Sequence, residues 1–141
     1  MTAGCGSQAA GRAAPSVLRF EEIAGLVAVD IRTDGDGTVT GARLTAPQAV
    51  DLGAEIAVED FAPCVGLTPD DIDLSAHPPV LASAGMPFPV ARLTGLDALA
   101  RARGDEAAMA ARPEMGGHVF VYTADPGDPG GFRARMFAPG L

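Results

Sequence analysis

The chain has 141 residues, 48% of them hydrophobic, and a formal net charge of −8. That is enough for one ordinary domain burying roughly 70% of its unfolded surface, and too apolar for a disordered chain. The acidic balance argues against nucleic acid or an anionic membrane as partner, since both require a basic face. No apolar run approaches the ~20 residues that span a bilayer, and no signal segment opens the chain, so the expected place is the cytoplasm. All ten basic residues are arginine, and lysine and asparagine are absent. With the excess of Ala, Gly and Pro, that reads as genome composition rather than as a binding signature.

Residues 1–16 are rich in Gly, Ala and Ser without periodicity and are expected to be disordered or poorly formed. A β meander is expected over 17–46. Val17-Leu18-Arg19-Phe20 and Leu26-Val27-Ala28-Val29-Asp30-Ile31 are strand-like, Asp34-Gly35-Asp36-Gly37 is a turn signal, and Thr38 to Leu44 returns. Asp34 and Asp36 lack the further carboxylates and closing Glu of a calcium loop, so they are turn residues. The stretch 48–75 reads as a crossover, with a short helix over 58–65 broken at Pro63. Thr68-Pro69-Asp70-Asp71 combines an N-cap, a proline at the first helical position and acids in the first turn, which predicts one helical turn. Six acidic residues between Glu55 and Asp73 read as a solvated face. Cys64, in the apolar context Phe61 to Leu67, is expected to be a small buried hydrophobe. Cys5 and Cys64 make no disulfide framework: one bridge could join them, but a cytosolic chain keeps thiols reduced. No metal-ligand spacing exists, because His77 and His118 lie far apart without a Cys or His nearby.

His77 precedes a proline pair and is expected to be a surface or satisfied histidine. Pro78 to Leu93 reads as strand, Gly-containing bend and strand, with Pro87 and Pro89 preventing a regular central ladder. Thr94-Gly95-Leu96-Asp97 carries a capping signature for a helix whose apolar stripe is Leu96 and Leu99 beside Ala100. Gly104 interrupts it, and 105–111 makes a second piece stopped before Pro113. Arg101, Arg103 and Arg112 read as solvated helix-surface charges, and His118 as a surface or satisfied histidine.

The last stretch is the most patterned. Residues 117–123 are β-branched and aromatic, 125–131 are built from Asp, Pro and Gly, and Phe132-Arg133-Ala134-Arg135-Met136-Phe137 alternates. This predicts a hairpin with Phe132, Ala134 and Met136 on a dry face and the two arginines on a wet one.

Two of these runs carry a family resemblance. Arg135-Met136-Phe137-Ala138-Pro139-Gly140-Leu141 resembles the run that, in PhzF-like phenazine-biosynthesis isomerases, leads into a Gly-x-x-Glu-Asp-Pro-Ala-Thr-Gly-Ser motif opening a buried active-site helix. Pro78 to Leu93 resembles that family's Pro-Pro-x-Val-x-Ser-Thr-Gly-x-Pro stretch, with Ala84 in place of the Thr and Leu81 where the spacing is one residue short. The resemblance implies an α+β, diaminopimelate epimerase-like fold, here partial: remnants of two curled β-sheet halves with short helices. Residues 17–48 would end the first half-barrel, and 49–141 would form the crossover and the beginning of the second.

The same resemblance places Ser83, Gly85, Met86 and Pro87 at the mouth of a substrate cleft, and Ala138, Pro139 and Gly140 on the approach to the catalytic segment. A kinked edge hairpin without a ligand is the alternative for the first group. No residue of this chain matches the family's catalytic motifs, since the proton-carrying Glu, the His motif near the N-terminus and the Glu-Asp-Pro segment have no counterpart. The expectation is therefore a fragment of a proton-transferring isomerase of a small metabolite, inactive alone, without cofactor or metal. Two alternatives stand beside it. One is a non-catalytic β-rich module that associates with itself, for instance as a homodimer through uncovered sheet faces. The other is a diaminopimelate epimerase-like racemase using Cys5, which the lack of asparagines disfavours.

Overall fold

The computed structural model describes residues 16–23 and 25–140. The chain divides into two compact units, residues 1–48 and 49–141. Cys5 and nearly all of the stretch expected to be poorly formed lie outside the described residues.

The first unit is the expected meander. Strands β1 (Val17–Glu22), β2 (Gly25–Thr33) and β3 (Val39–Thr45) pair antiparallel in sequence order. The turn between β2 and β3 is held by the side chain of Asp34, whose Oδ1 accepts the backbone N–H groups of Asp36 and Thr38 at 3.0 and 2.9 Å. That is the Asx-type bonding for which Asp is favoured in turns.

The second unit is a five-stranded sheet of order β4-β5-β6-β7-β8, formed by Asp51–Glu55, Val80–Ser83, Pro87–Arg92, Val119–Ala124 and Phe132–Phe137. All its pairings are antiparallel except β6 with β7. A parallel pair needs a long crossover, and this one holds α2 (Leu96–Arg101) and α3 (Glu106–Ala110). Helix α1 (Val58–Cys64) follows β4. The core lies on one face of this sheet, where Phe61, Cys64 and Val65 meet Ala91, Val119 and Val121 with Leu99, Met109 and Met115. Cys64 is fully buried, as expected, and its thiol donates to the Asp60 carbonyl at 3.4 Å.

Several expectations are corrected. Asp51–Glu55, taken as crossover, is edge strand β4. Every residue in it is exposed, so there is no buried face to imprint an alternating pattern. The strand after the Gly bend is central rather than a kinked edge, because its prolines precede the parallel ladder, which begins at Val90. Neither proline removes a donor from that ladder. Helix α2 begins at Gly95 as N-cap, without a side-chain cap from Thr94. The N–H of Thr94 instead bonds the Asp71 carbonyl at 3.0 Å, which holds this residue in the sheet layer. The buried stripe is Ala98, Leu99 and Ala102, while Leu96 is 40% exposed. Arg101 and Arg112 are not free surface charges: they pair with Asp71 and Asp60 at 2.5 and 2.6 Å.

The terminal hairpin is present, but its apolar side faces away from the helices, and both arginines are exposed as expected. Register pairs Val121 with Arg135 and Val119 with Phe137, so the arginine side of β8 is the side facing the helices. Arg135 Nη1 donates to the carbonyls of Leu99 and Ala102, both at 2.9 Å, and its guanidinium stacks 4.8 Å over Phe137. A cation at the unsatisfied carbonyls ending a helix is electrostatically favoured. Phe132 and Met136, expected on the dry side, are 63% and 54% exposed.

Candidate functional site

That orientation leaves an apolar sheet face open. Phe88 and Val90 on β6, Phe120 on β7 and Met136 on β8 stand side by side on it, because Val90 pairs Phe120 and Phe120 pairs Met136. Together with Ser83 and Met86 they line a hollow of about 650 Å³, within the roughly 300–1,000 Å³ range of small-molecule sites. No titratable side chain lines it.

One margin of the hollow is the bend 84–86. Gly85 has φ +131°, a conformation that side-chain-bearing residues rarely adopt, and its N–H donates to Ser83 Oγ at 3.3 Å. The Pro87 carbonyl accepts from His118 Nε2 at 2.9 Å, and that ring meets Phe88 edge-on at 4.6 Å. His118 is therefore a satisfied histidine, as expected. So is His77: its Nδ1–H donates to the Pro78 carbonyl and its Nε2 faces the Tyr122 hydroxyl, both at 2.7 Å. A carbonyl can only accept, so Nδ1 carries a proton in this contact.

Of the sequence-predicted residues, Ser83 and Met86 line the hollow, and Gly85 and Pro87 sit in the bend beside them. Ala138, Pro139 and Gly140 do not line it. Phe137 pairs with Val119 at the start of β7, and β7 runs parallel to β6. Ala138 to Gly140 therefore emerge at the same end of the sheet as the bend, two strand spacings or roughly 10 Å from the start of β6. Phe88, Val90, Phe120 and Met136 were missed as lining residues. The alternation in β7 and β8 was the available signal, but which face the helices cover is decided by packing.

Three carboxylates near this sheet are held below the ordinary carboxylate range. Asp71 is held down to about 2, first by the hydrogen-bonded Arg101 guanidinium and then by the Thr68 N–H. The hydroxyl and N–H of Ser75 lower Asp73, and Arg133 followed by the Gly127 N–H lowers Asp125. Burial raises the Cys64 thiol. Among the described residues no three His, Cys, Asp or Glu side chains come together as a metal site, and no helix is long and apolar enough to cross a membrane.

A five-stranded mixed sheet with short helices on one face, together with a three-stranded meander as a second unit, defines an α+β protein of PhzF-like, diaminopimelate epimerase-like fold. Two solved structures carry that assignment. A phenazine biosynthesis protein of the PhzF family from Bacillus anthracis superposes with a TM-score of 0.67 at 19% identity, covering 87% of this chain and 42% of that one. A predicted epimerase from Pseudomonas aeruginosa gives 0.56 at 27% identity, covering 77% of this chain and 37% of that one. The chain thus spans about two fifths of the length of the proteins it resembles. No family model and no curated protein matches the sequence.

Proposed function

We propose that this chain is part of a proton-transferring isomerase of PhzF-like fold, working in the cytoplasm on a small metabolite. In this reading it supplies one wall of the substrate cleft, including Ser83, Gly85, Met86 and Pro87, with Ala138, Pro139 and Gly140 at the same sheet end. The observation that carries the reading is the apolar hollow against the Gly85 bend, in a fold shared over 87% of this chain with the PhzF-family structure. Moving a proton along a carbon skeleton takes a carboxyl group of tuned pKa within reach of the substrate. The carboxylates with a resolved shift are all driven the other way, towards permanent ionisation, and none lines the hollow. The wall is therefore inactive without a partner segment that brings the acid and base.

The test is solvent exchange. The purified chain is incubated with small cyclic carboxylic acids bearing an acidic C–H in heavy water, and deuterium uptake is followed by proton NMR. Uptake at the buffer rate is expected for the chain alone. Uptake when a Gly-x-x-Glu-Asp-Pro-containing continuation is co-expressed would support the isomerase. Enzymatic uptake by the 141-residue chain alone would overturn the inactive-wall reading.

A second reading rests on the exposed apolar residues of the same face. Val50, Leu52, Phe132 and Met136 are each more than half exposed. Contiguous exposed apolar residues of this kind mark association surfaces. A homodimer joined there would be non-catalytic. Light scattering distinguishes the readings: a dimer that Met136→Glu converts to monomer supports association, and a monomeric parent chain removes it.

A further inference from the structure

We propose that the second unit holds a separate site for a small zwitterion of the α-amino-acid class, in a polar cavity at the carboxyl ends of β6 and β7. The cavity measures about 480 Å³ and is lined by residues leaving those strands, including Arg92, Thr94 and Thr123, and by Asp97 and Arg101 of α2. It lies at the other end of β6 from the Gly85 bend, six residues or roughly 17–20 Å away along the strand. It is therefore distinct from the cleft wall and does not depend on that reading.

Three observations define the ligand. First, Arg92 has an unused fork. Its buried Nε lies 3.1 Å from Asp73 Oδ2 but forms no hydrogen bond, and its terminal nitrogens have no hydrogen-bond partner among the described residues. Arg101 is different: both its terminal nitrogens are engaged by Asp71, at 2.5 and 3.3 Å. A planar guanidinium edge with free donors is matched by a carboxylate.

Second, the lining is charge-balanced, with Arg92 and Arg101 against Asp73 and Asp97. Asp97 makes no hydrogen bond or ion pair among the described residues. A simple anion would meet two carboxylates and a simple cation two guanidiniums, whereas a zwitterion offers each charge an opposite partner. Third, Thr123 is the one buried polar residue among those described, at 3% exposure, and it lines this cavity. Its hydroxyl and that of Thr94 have no hydrogen-bond partner among the described residues and stay accessible to solvent, so both are open to a ligand's polar edge. Carboxylate on Arg92, ammonium on Asp97 and hydroxyls on the ligand's polar edge satisfy all of these groups together. Leu96 and Pro126 remain for its side chain.

The experiment is titration of the ¹⁵N-labelled full chain, followed by amide shifts, with L-alanine, L-leucine, acetate and methylamine. Expected are saturable shifts at Thr94, Gly95, Asp97 and Thr123 with at least one amino acid, and at least tenfold weaker binding of acetate and methylamine. Arg92→Gln weakens the amino acid at least tenfold. Asp97→Asn, on an exposed helix position, weakens the amino acid equally but leaves acetate unchanged or tighter. Unmoved amides in Val119–Ala124 of the free variants show that they are folded. No saturable shift with either amino acid up to about 20 mM, a concentration that reveals even millimolar affinity, would overturn the proposal. So would acetate binding as tightly as the amino acids, or amino-acid binding unaffected by both substitutions.

Discussion

Replacing Asp71 by Asn tests how one carboxylate ties the turn Pro69–Asp71 to helix α2. The Asp71 carboxylate accepts from the N–H and hydroxyl of Thr68, both at 3.1 Å, completing a capping box, and engages both terminal nitrogens of Arg101. Asn keeps the shape and an acceptor for Thr68 but removes the charge. The native carboxyl titrates at about 2, below the ~3.9 of an unfolded Asp. A depressed native pKa means that the stabilisation is complete above about pH 4 and is lost as pH falls through about 2. The full shift would correspond to about 2.6 kcal/mol, but Arg101 is 59% exposed, and solvent screening reduces the effect to about 1 kcal/mol.

The assay is urea unfolding of the parent chain and Asp71→Asn at pH 7, 5 and 2. The only tyrosine is Tyr122 and there is no tryptophan, so intrinsic fluorescence reports on the second unit alone. The expected result is a deficit of about 1 kcal/mol for the variant at pH 7, undiminished near pH 5 and closing towards pH 2, with m unchanged. A deficit that persists at pH 2 would show that the loss comes from altered packing rather than charge. No deficit at pH 7 would show that the bridge contributes nothing.

Three further outcomes are expected. Gly104→Ala would set a Cβ 2.9 Å from Phe137 Cβ, so thermal unfolding should show a loss of about 1–3 kcal/mol from overpacking; an unchanged melting temperature would contradict the contact. Arg135→Leu removes the donor to the Leu99 and Ala102 carbonyls, so hydrogen exchange of the last turn of α2 should quicken, with about 1 kcal/mol lost. Cys64 is fully buried with its thiol pushed up by desolvation, so alkylation by iodoacetamide at pH 8 should wait for urea; rapid labelling of the native chain would contradict its burial.

The sequence carried local order well. Turn residues at Asp34 and Gly85, the proline opening Pro69–Asp71 and the strand composition of β2 and β7 each act within a few residues, and each appears where the pattern placed it. The misreadings share one cause. Which side of a strand is covered is decided by elements distant in sequence, and Phe132-Arg133-Ala134-Arg135 cannot announce that α2 will lie over its arginine side. Polarity assigned those arginines to water, and both are exposed, but a helix that ends in unsatisfied carbonyls is itself a polar surface, and Arg135 serves it as well. The same blindness hid β4, whose five exposed residues have no buried face to imprint a period.

That orientation also explains why the candidate cleft was only half legible. Bends announce themselves through glycine and proline, so Ser83 to Pro87 could be named from the sequence, and the structure sets them beside a hollow. The hollow's floor is Phe88, Val90, Phe120 and Met136, residues that in any sequence read as core. They become a candidate surface because the β7–β8 register sets Arg135 on the helix side of β8 and Met136 on the open side. If Arg135→Leu loosened α2 without altering the floor, as judged by the amide shifts of Phe120 and Met136, the β7–β8 ladder itself would hold the face open. If those shifts moved together with α2, the helix cap and the open face would be one device, and a ligand on the floor would slow exchange in α2 through a contact it never touches.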